Sequence, residues 1–385
     1  MTKTCALEGC DKEFEPKGKN QKYCIPAHGQ AAANLRRSGG AKPVATGEVT
    51  REEALEHELR EMRTAARAKR KGDVERERLT RAVEDALQTV PPPRRIGGAR
   101  PPRVVGKGAP HHRQLVALSD FHGGEFVDPL AVNHLNDYSW SIMEERVDEL
   151  VDGLLSHRDH SPALTGLDIA IVGDMVSGHQ HQELAETNEY PLAVQGVKMG
   201  HLLGQTIERL EPHYENIKVV SVVGNHPRLK QKPASKRVHD NMDWVSAMIA
   251  KQYLEKFPNV SVSAPTGGAI LHTIAGKTFY IWHGDGIRST MPGVPWGGVI
   301  RRVNEIRRAY AGTEIDCWLL GHFHQCNVME SLGIFMNGSL KGTDEWVIKN
   351  FGGGSPPSQL LLTFDEKKSR LTDSRFLNPT AGLPA

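Results

Sequence analysis

From Gln114 onward, short apolar runs alternate with longer stretches in which apolar positions recur at helical spacing. Runs of this length are typical of buried strands, and the longer stretches are typical of amphipathic helices. The alternation predicts a layered α/β domain over residues 114–375, followed by a tail over 376–385. The predicted strands include Leu115–Leu118, Ile169–Val172, Val219–Val223, Phe279–Trp282 and Trp318–Leu320, and the predicted helices cover 131–156, 190–212, 240–256 and 297–311. A second sheet is expected from the runs at 259–263, 268–274 and 278–282.

The first 113 residues follow a different pattern. Residues 49–90 keep a thin apolar stripe at helical spacing among many charges, which predicts a long charged helix within a segment spanning 41–90. Such a helix is solvated, pairs with a partner helix, or lies on an anionic surface. Residues 91–113 contain six Pro, four Gly and six Lys or Arg without an acid, as is typical of an extended basic linker.

Charge is divided unevenly along the chain. Residues 1–113 hold 24 Lys and Arg against 15 Asp and Glu, a net +9, whereas the remaining residues carry a net −7. This asymmetry favours a polyanion as the partner of the N-terminal third and cations as ligands of the acidic body.

The cysteine and hydropathy patterns indicate an intracellular protein. The chain has five Cys, an odd number, and three of them fall within the first 24 residues. That distribution suits a metal site in a reducing compartment better than a set of disulfides. No run approaches the roughly 18 apolar residues of a membrane span, and the N-terminus has no apolar signal segment. We therefore expect a cytoplasmic location and no membrane partner.

Each of the five predicted strands is followed by a polar cluster. The clusters are Asp120-Phe121-His122, Gly173-Asp174, Gly224-Asn225-His226, His283-Gly284-Asp285 and Gly321-His322-Phe323-His324. Ligands of α/β sheets collect at the carboxyl ends of strands, so we expect the five clusters to meet there. Their mixed oxygen and nitrogen donors suit Mn²⁺, Fe²⁺ or Zn²⁺. Of these three ions, we expect Mn²⁺. Seven of the nine Asp, Asn and His residues in the clusters are candidate ligands, which is more than one ion needs. The number therefore predicts two divalent ions bridged by one carboxylate.

The order Asp-x-His, Gly-Asp, Gly-Asn-His, His-Gly-Asp and Gly-His-x-His resembles the calcineurin-like metallophosphoesterases. The resemblance extends from Leu115 to Leu340. It implies a four-layer αββα sandwich and hydrolysis of phosphoesters at a two-metal centre. The sequences around Gly321-His322-Phe323-His324 and from Asn337-Gly338-Ser339 to Glu345 also look like those of repair-exonuclease-like members of the family, including phage-type ones.

The resemblance also implies a role for each residue of the clusters. One ion is expected on Asp120, His122, Asp174 and His324. The other ion is expected to share Asp174 and to add Asn225, His283 and His322. The last residue of the third cluster, His226, is similar to the family's acid, which protonates or stabilises the leaving-group oxygen.

Two departures from the family pattern bear on mechanism and substrate. His226 is followed by Pro227, where the family usually carries an Asp or Glu that orients the His. Asp120, Asp285 or a backbone carbonyl must then orient His226 instead. The second cluster lacks the Asp-Arg-Gly of the protein Ser/Thr phosphatases, which makes those phosphatases a poor match for the substrate.

Residues 1–40 contain a second cluster of metal-binding residue types. Cys5, Cys10, Cys24 and His28 form two close pairs, the arrangement of a closed structural Zn²⁺ site. Such a small segment has little apolar core, so metal binding would supply most of its folding free energy. The surrounding residues look like a short treble-clef zinc finger, which usually has Cys at the position of His28 and a shorter first spacing.

Together these features predict a two-metal phosphodiesterase acting on nucleic acid, a nuclease or exonuclease with DNA as its expected substrate and a zinc-binding arm. Arg228 and His181, which follow two of the clusters, are candidate substrate contacts. The alternative is a phosphomonoesterase or small-nucleotide phosphodiesterase whose zinc finger docks a protein. A third hypothesis, a binding module without turnover, has Pro227 as its only support and is opposed by the complete set of clusters.

Overall fold

The computed structural model describes two compact units, Met1–Val74 and Glu75–Ala385. The described residues are 2–7, 10–16, 21–25, 28, 32, scattered positions between 60 and 88, 111–160, 164–180, 182–230, 238–287 and 293–384. In the first unit, strands β1 (Lys3–Thr4) and β2 (Glu13–Phe14) pair antiparallel. The described positions between 60 and 88 are helical, and the rest of the helix predicted over 49–90 lies outside the described residues, as does most of the predicted linker.

Six strands form the first sheet of the larger unit. They are β3 (His112–Leu118), β4 (Leu164–Ile171), β5 (Asn216–Ser221), β6 (Val260–Ser263), β12 (Gln359–Asp365) and β13 (Arg370–Leu377). Their order across the sheet is β13-β12-β3-β4-β5-β6. The run from β3 to β6 is parallel, and β12 pairs antiparallel with both β3 and β13.

Five strands form the second sheet. They are β7 (Ala269–Ile274), β8 (Lys277–Trp282), β9 (Cys317–Leu320), β10 (Asn327–Met329) and β11 (Ile334–Met336). Their order is β10-β11-β9-β8-β7. The three central strands β8, β9 and β11 are parallel, and the two edge strands pair antiparallel with their neighbours.

Helices cover the outer faces of both sheets. The α-helices of the described residues in this unit, from residue 111 onward, are α1 (Trp140–His160), α2 (Gln182–Thr187), α3 (Leu192–Leu210), α4 (Met242–Leu254), α5 (Trp296–Ala309) and α6 (Glu345–Phe351). Within the described ranges, each helix is too short or too polar to cross a bilayer.

Alternating side chains along the strands build three apolar layers. In β3, Val116 and Leu118 pack in the layer shared with α1, α3 and α4, whereas Leu115 and Ala117 pack between the two sheets. On the far side of the second sheet, Trp318 packs with the apolar face of α5. The layers therefore follow the order helix, sheet, sheet, helix, and the predicted four-layer αββα sandwich is confirmed.

Two predicted elements differ from the structure. The helix expected over 131–156 begins at Trp140, because the preceding residues form turns in which Asn133 and His134 have positive φ. The apolar spacing there arises from side chains such as Val132, which enters the core from a turn. The strand expected at 259–263 is β6, which extends the first sheet beside β5 instead of joining the second, because the chain returns through α4 in a parallel crossover.

The residues expected as a C-terminal tail lie against α1 and the turn before it. Strand β13 extends to Leu377. Beyond it, Arg146 Nε of α1 donates to the carbonyl oxygen of Ala381 (2.8 Å), and Asp137 N donates to that of Gly382 (2.8 Å).

A buried charged cluster joins the two sheets between the middle of β4 and the middle of β7. Arg113 donates to the Asp168 carboxylate and to Asn216 Oδ1 (2.7 Å) within the first sheet. From the second sheet, His272 Nε2 lies 2.8 Å from Asp168 Oδ1. Arg113 is the second residue of β3 and Asp168 the fifth of β4, so the charged cluster precedes the strand ends that carry the polar clusters.

Candidate metal centre

The five polar clusters lie on loops that follow five strands of the sandwich. Three follow β3, β4 and β5 of the first sheet, and two follow β8 and β9 of the second. Candidate ligand atoms converge within 4.8 Å of one another in three groups, which are Asp120/His122/His324, His122/Asp174/His226 and Asp174/His283/His322. Both sheets therefore contribute to one centre.

Five of the seven predicted ligands have a left-handed backbone conformation. Their φ angles are 55° at Asp120, 50° at His122, 52° at Asp174, 70° at His322 and 56° at His324. Such angles cost residues with a Cβ of order 1–3 kcal/mol each and cluster at functional sites. These residues follow β3, β4 and β9, so the chain turns sharply just after three of the five strands that precede the clusters.

The first half of the centre combines two imidazoles and a carboxylate. His122 Nε2 lies 3.2 Å from His324 Nε2, and His324 Nε2 lies 3.3 Å from Asp120 Oδ1. Asp120 is fully buried, and its Oδ1 has no hydrogen-bond partner among the described residues. A buried carboxylate oxygen of this kind needs a cation or a donor.

The second half is built around His283. Its Nδ1 lies 2.7 Å from the carbonyl oxygen of Val172, to which it donates, and this bond leaves Nε2 as the ligand atom. Nε2 lies 2.9 Å from Asp174 Oδ2 and 3.2 Å from Asn225 Oδ1. A ring nitrogen of His322 lies within 4.8 Å of the ligand atoms of Asp174 and His283, so His322 is the remaining ligand of this half.

The donor spacing fits divalent ions. Donors bonded to one metal at about 2.1 Å lie about 3.0 to 3.4 Å apart in octahedral or tetrahedral geometry. The four separations in the two halves, 2.9 to 3.3 Å, are close to this range. Asp174 lies within 4.8 Å of ligand atoms in both halves, which is the position of a bridging carboxylate.

Burial and charge leave His122, His322 and Asp174 in forms that suit metal binding. Burial, with Lys341 nearby, holds the pKa of His122 well below its usual range, and burial with His283 lowers the pKa of His322 to about 4. Both imidazoles are therefore neutral at pH 7. Burial alone would raise the pKa of Asp174, but His283 and His226 lower it.

His226 is oriented by a backbone carbonyl, one of the three candidates that Pro227 left open. Its Nδ1 lies 3.1 Å from the carbonyl oxygen of Ser177, so Nδ1 carries a proton and Nε2 is the second functional atom. The ring packs edge-on against His122, with centroids 4.5 Å apart. His226 also offers a ring nitrogen within 4.8 Å of Asp174, so the geometry accommodates it either as an acid or as a ligand.

The two predicted substrate contacts have different outcomes. Arg228 lies two residues after His226, and its carbonyl oxygen accepts a hydrogen bond from Gln180 Nε2 (2.6 Å). Its Nε is buried without a hydrogen-bond partner among the described residues. His181 lies outside the described residues.

A buried ion-pair network lies beside His122, and sequence reasoning missed it. Glu125 Oε2 lies 3.5 Å from His122 Nδ1, and Glu125 Oε1 accepts from Lys341 Nζ (2.8 Å). Lys341 also pairs with Asp344. Burial alone would lower the pKa of Lys341, but the two carboxylates raise it, so the ammonium stays charged. The only signal in the sequence was the position of Glu125, three residues after His122.

Asp243, also missed, holds two ligand-bearing loops together. Its Oδ2 accepts from the backbone N–H groups of Asp174 and Gly224 (2.9 Å each), and its Oδ1 accepts from Met175 (3.1 Å). The carboxylate is buried at the first turn of α4, where Asn241 caps the helix. Burial and the nearby Asp174 raise the pKa of Asp243 to about 7. Sequence patterns give no hint of this contact, because 69 residues separate Asp243 from Asp174.

The four predicted zinc ligands of the N-terminal unit also converge. Cys5 Sγ and Cys24 Sγ lie 3.6 and 3.3 Å from His28 Nδ1, and Cys10 Sγ lies 3.9 Å from Cys24 Sγ. Tetrahedral Zn²⁺ places neighbouring sulfur ligands about 3.8 Å apart and sulfur and nitrogen about 3.5 Å apart. Burial opposes ionisation of Cys5, but backbone N–H groups of Cys24 and Leu7 lower its pKa to about 6, which favours the thiolate.

Comparisons with known proteins add little to this geometry. No protein-family model matches the chain, and no curated protein matches it. Among solved structures, it is similar to Vps29 complexed with Zn²⁺ from Entamoeba histolytica (10% identity, 69% of this chain and 99% of that chain, TM-score 0.28). It is also similar to a predicted phosphoesterase from Streptococcus pneumoniae (12%, 72% and 95%, 0.29) and to phosphopantetheinyl hydrolase from Mycobacterium tuberculosis (10%, 63% and 94%, 0.27). The strand order and the packed layers of this chain define its fold.

Proposed function

We propose that this chain is a metal-dependent phosphodiesterase that hydrolyses nucleic acid, with DNA as its substrate. Two divalent ions, Mn²⁺ in the first instance, occupy the centre, and one Zn²⁺ occupies the cluster of the N-terminal unit. The observation that carries the proposal is the position of Asp174, whose carboxylate lies within 4.8 Å of His122 on one side and of His283 and His322 on the other. A carboxylate shared between two ligand sets is the hallmark of two-metal phosphoester chemistry.

The side chains of the centre have distinct tasks in this proposal. Asp120, His122, Asp174 and His324 hold one ion, and Asp174, Asn225, His283 and His322 hold the other. When bound, the ions would stabilise charge on the phosphoryl oxygens and lower the pKa of a water. The step uses the imidazolium form of His226: the Nε2 proton passes to the departing alkoxide, and the neutral ring that results keeps its Nδ1–H on the Ser177 carbonyl.

Charge supports the nucleic-acid part of the proposal. Residues 1–113 carry a net +9, and the four convergent Cys and His of the N-terminal unit match a structural zinc site. Phosphate backbones are attracted to basic segments independently of sequence. In this proposal the metal centre hydrolyses the phosphodiester bond, and the basic residues 1–113 bind the rest of the nucleic acid.

The proposal is tested by comparing substrates side by side in Mn²⁺. We expect the full chain to hydrolyse bis-p-nitrophenyl phosphate and end-labelled DNA, and to be slower on p-nitrophenyl phosphate. Asp174→Asn serves as the metal-site control and should lose both activity and bound metal. Turnover of the monoester alone would refute the nuclease assignment and establish the phosphomonoesterase.

The proton-donor role of His226 is tested separately. His226→Ala should keep both ions, measured by elemental analysis, and lose about 10²- to 10⁴-fold in turnover of DNA. Loss of an ion in this variant would make His226 a ligand, and unchanged turnover would remove it from the chemistry.

The N-terminal unit is tested with Cys24→Ser. This variant should lose one Zn²⁺ and bind DNA more weakly, while its hydrolysis of bis-p-nitrophenyl phosphate stays at the wild-type rate. Unchanged DNA binding would reassign the zinc cluster to another partner.

A further inference from the structure

The exposed face of α5 concentrates positive charge on an otherwise acidic domain. The helix carries Arg301, Arg302, Arg307 and Arg308, all exposed, against a single acid, Glu305. Residues 114–385 as a whole carry a net −7. Four arginines within eight residues therefore form a local field of opposite sign to that of the surrounding domain.

The apolar residues of α5 fix which arginines point outward. Val299, Val303 and Ile306 form its buried face. With 3.6 residues per turn, Arg301 and Arg308 lie on the opposite side, two turns and about 10 Å apart along the axis. That separation is about three base-pair rises of a duplex.

The two outermost arginines are available for an external partner. Arg302 pairs with Glu305 (3.4 Å), and Arg307 lies over the ring of Trp318, with its guanidinium carbon 5.6 Å from the centroid. Among the described residues, Arg301 and Arg308 have no carboxylate within ion-pair distance. Exposed guanidinium groups without acidic neighbours are suited to phosphate oxygens, which they bind with two hydrogen bonds.

Chain direction connects this face with the metal centre. Strand β8 ends at Trp282, directly before the ligand His283, and the chain then reaches the start of α5 at Trp296. The last turn of α5 contacts Trp318 near the beginning of β9. The helix therefore runs back along the second sheet, away from the edge that carries the ligands.

We infer that the Arg301/Arg308 face of α5 binds the phosphate backbone of nucleic acid, as a track that leads away from the metal centre. The inference rests on the proposed function, since it places the polymer whose phosphodiester the centre cleaves. It also assigns DNA binding to the acidic domain itself, in addition to the basic N-terminal segment.

The test is the salt dependence of binding to a 20-base-pair DNA duplex, measured by fluorescence anisotropy with the full chain. Every protein in this assay carries Asp174→Asn, so binding is separated from cleavage without a chelator that would strip Zn²⁺ from the N-terminal unit. The plot of log affinity against log salt should lose about 1.8 of its slope in Arg301→Gln/Arg308→Gln, because each phosphate contact contributes about 0.9. Affinity at 50 mM salt should fall about tenfold or more.

A matched control removes the same charge elsewhere. Arg375→Gln/Lys256→Gln removes two exposed cations outside α5 that are paired with Asp373 and Glu208, and it should keep the wild-type slope. Unchanged melting temperatures of both double variants show that the fold is intact. Wild-type slope and affinity in Arg301→Gln/Arg308→Gln, or an equal loss in the control, would overturn the inference.

Wild-type activity separates this outcome from failure of the proposed function. If the wild type cleaves DNA but Arg301→Gln/Arg308→Gln binds DNA like the wild type, the assignment of the α5 face is wrong and the proposed activity stands. If the slope falls as expected but the wild type hydrolyses no phosphodiester, the track stands and the proposed activity fails.

Discussion

Gly224 is the position where the smallest change should most disturb the metal centre. It precedes the ligand Asn225 and packs against the loop that carries Asp174. A Cβ added at residue 224 would lie 2.0 Å from Asp174 Oδ1 and 2.3 Å from Asp174 N. Non-bonded heavy atoms approach favourably only to about 3.5 Å, so one loop must move by about 1.5 Å.

The Asp174 side chain cannot rotate out of the way. Its Oδ1 accepts from His226 N (2.8 Å), and its Oδ2 lies 2.9 Å from His283 Nε2. Its own N–H is held by Asp243. The Gly224→Ala change should therefore separate Asn225 from His283 at a stability cost of about 1–3 kcal/mol, the usual range for overpacking.

The expected result is loss of metal at the second half of the centre. A displacement of about 1 Å can cost about 10²-fold in rate, so hydrolysis of bis-p-nitrophenyl phosphate should fall by at least that factor. Mn²⁺ binding by isothermal titration calorimetry, turnover and thermal melting should be measured together. Gly286→Ala is the matched control, because a Cβ at this exposed glycine beside His283 meets nothing within 4 Å. Two bound ions and wild-type turnover in Gly224→Ala would refute the reasoning.

Three further perturbations follow from the groups around the centre. Lys341→Met leaves two buried carboxylates without their cation and should cost about 3–5 kcal/mol of unfolding free energy, measured in urea; a loss below 1 kcal/mol would contradict a buried pair. Asp243→Asn keeps the side-chain volume but turns an amide N–H toward the backbone N–H groups of Asp174 and Gly224. Mn²⁺ binding should weaken about 10- to 100-fold in a chelator competition. Wild-type affinity would show that the Asp243 carboxylate does not position the two loops that carry the ligands. In metal-free protein, burial opposes protonation of His283, but Asp174 raises its pKa from 6.5 to about 10. The stabilisation is complete below pH 6.5 and is lost as pH rises toward 10, so melting in EDTA should fall over that interval more steeply than in His283→Gln; parallel curves would contradict the shift.

The sequence was informative where local pattern and chemistry coincide. Apolar runs located β3, β4, β5, β8 and β9, because buried strands need continuous apolar residues. The polar clusters after them were predictable because a parallel arrangement brings strand ends to one edge. The pattern could not assign β6 to a sheet, since sheet membership depends on the crossover through α4 and not on the residues of the strand.

The residues that surround the ligands were not predictable from the sequence either, because their contacts also depend on how distant segments meet. Glu125 and Lys341 are 216 residues apart, and their ion pair exists only because the loops after β3 and β11 meet. The carbonyl of Ser177 that orients His226 carries no side-chain signature at all. Contacts made by backbone atoms or by distant charges become visible only when the layers are assembled.

Placing the ligands on both sheets has a consequence for cooperativity. Four ligands follow strands of the first sheet, namely Asp120, His122, Asp174 and Asn225, and three follow strands of the second, namely His283, His322 and His324. Midway along the strands, the sheets are joined by the Asp168–His272 contact. Each bound ion would act as a cross-link between the sheets, so sheet separation at the metal-binding edge would require metal release. Metal occupancy should therefore decide whether the sandwich opens as one cooperative unit or frays at the metal-binding edge. Amide hydrogen exchange of β8 and β9, compared with and without metal, would distinguish the two.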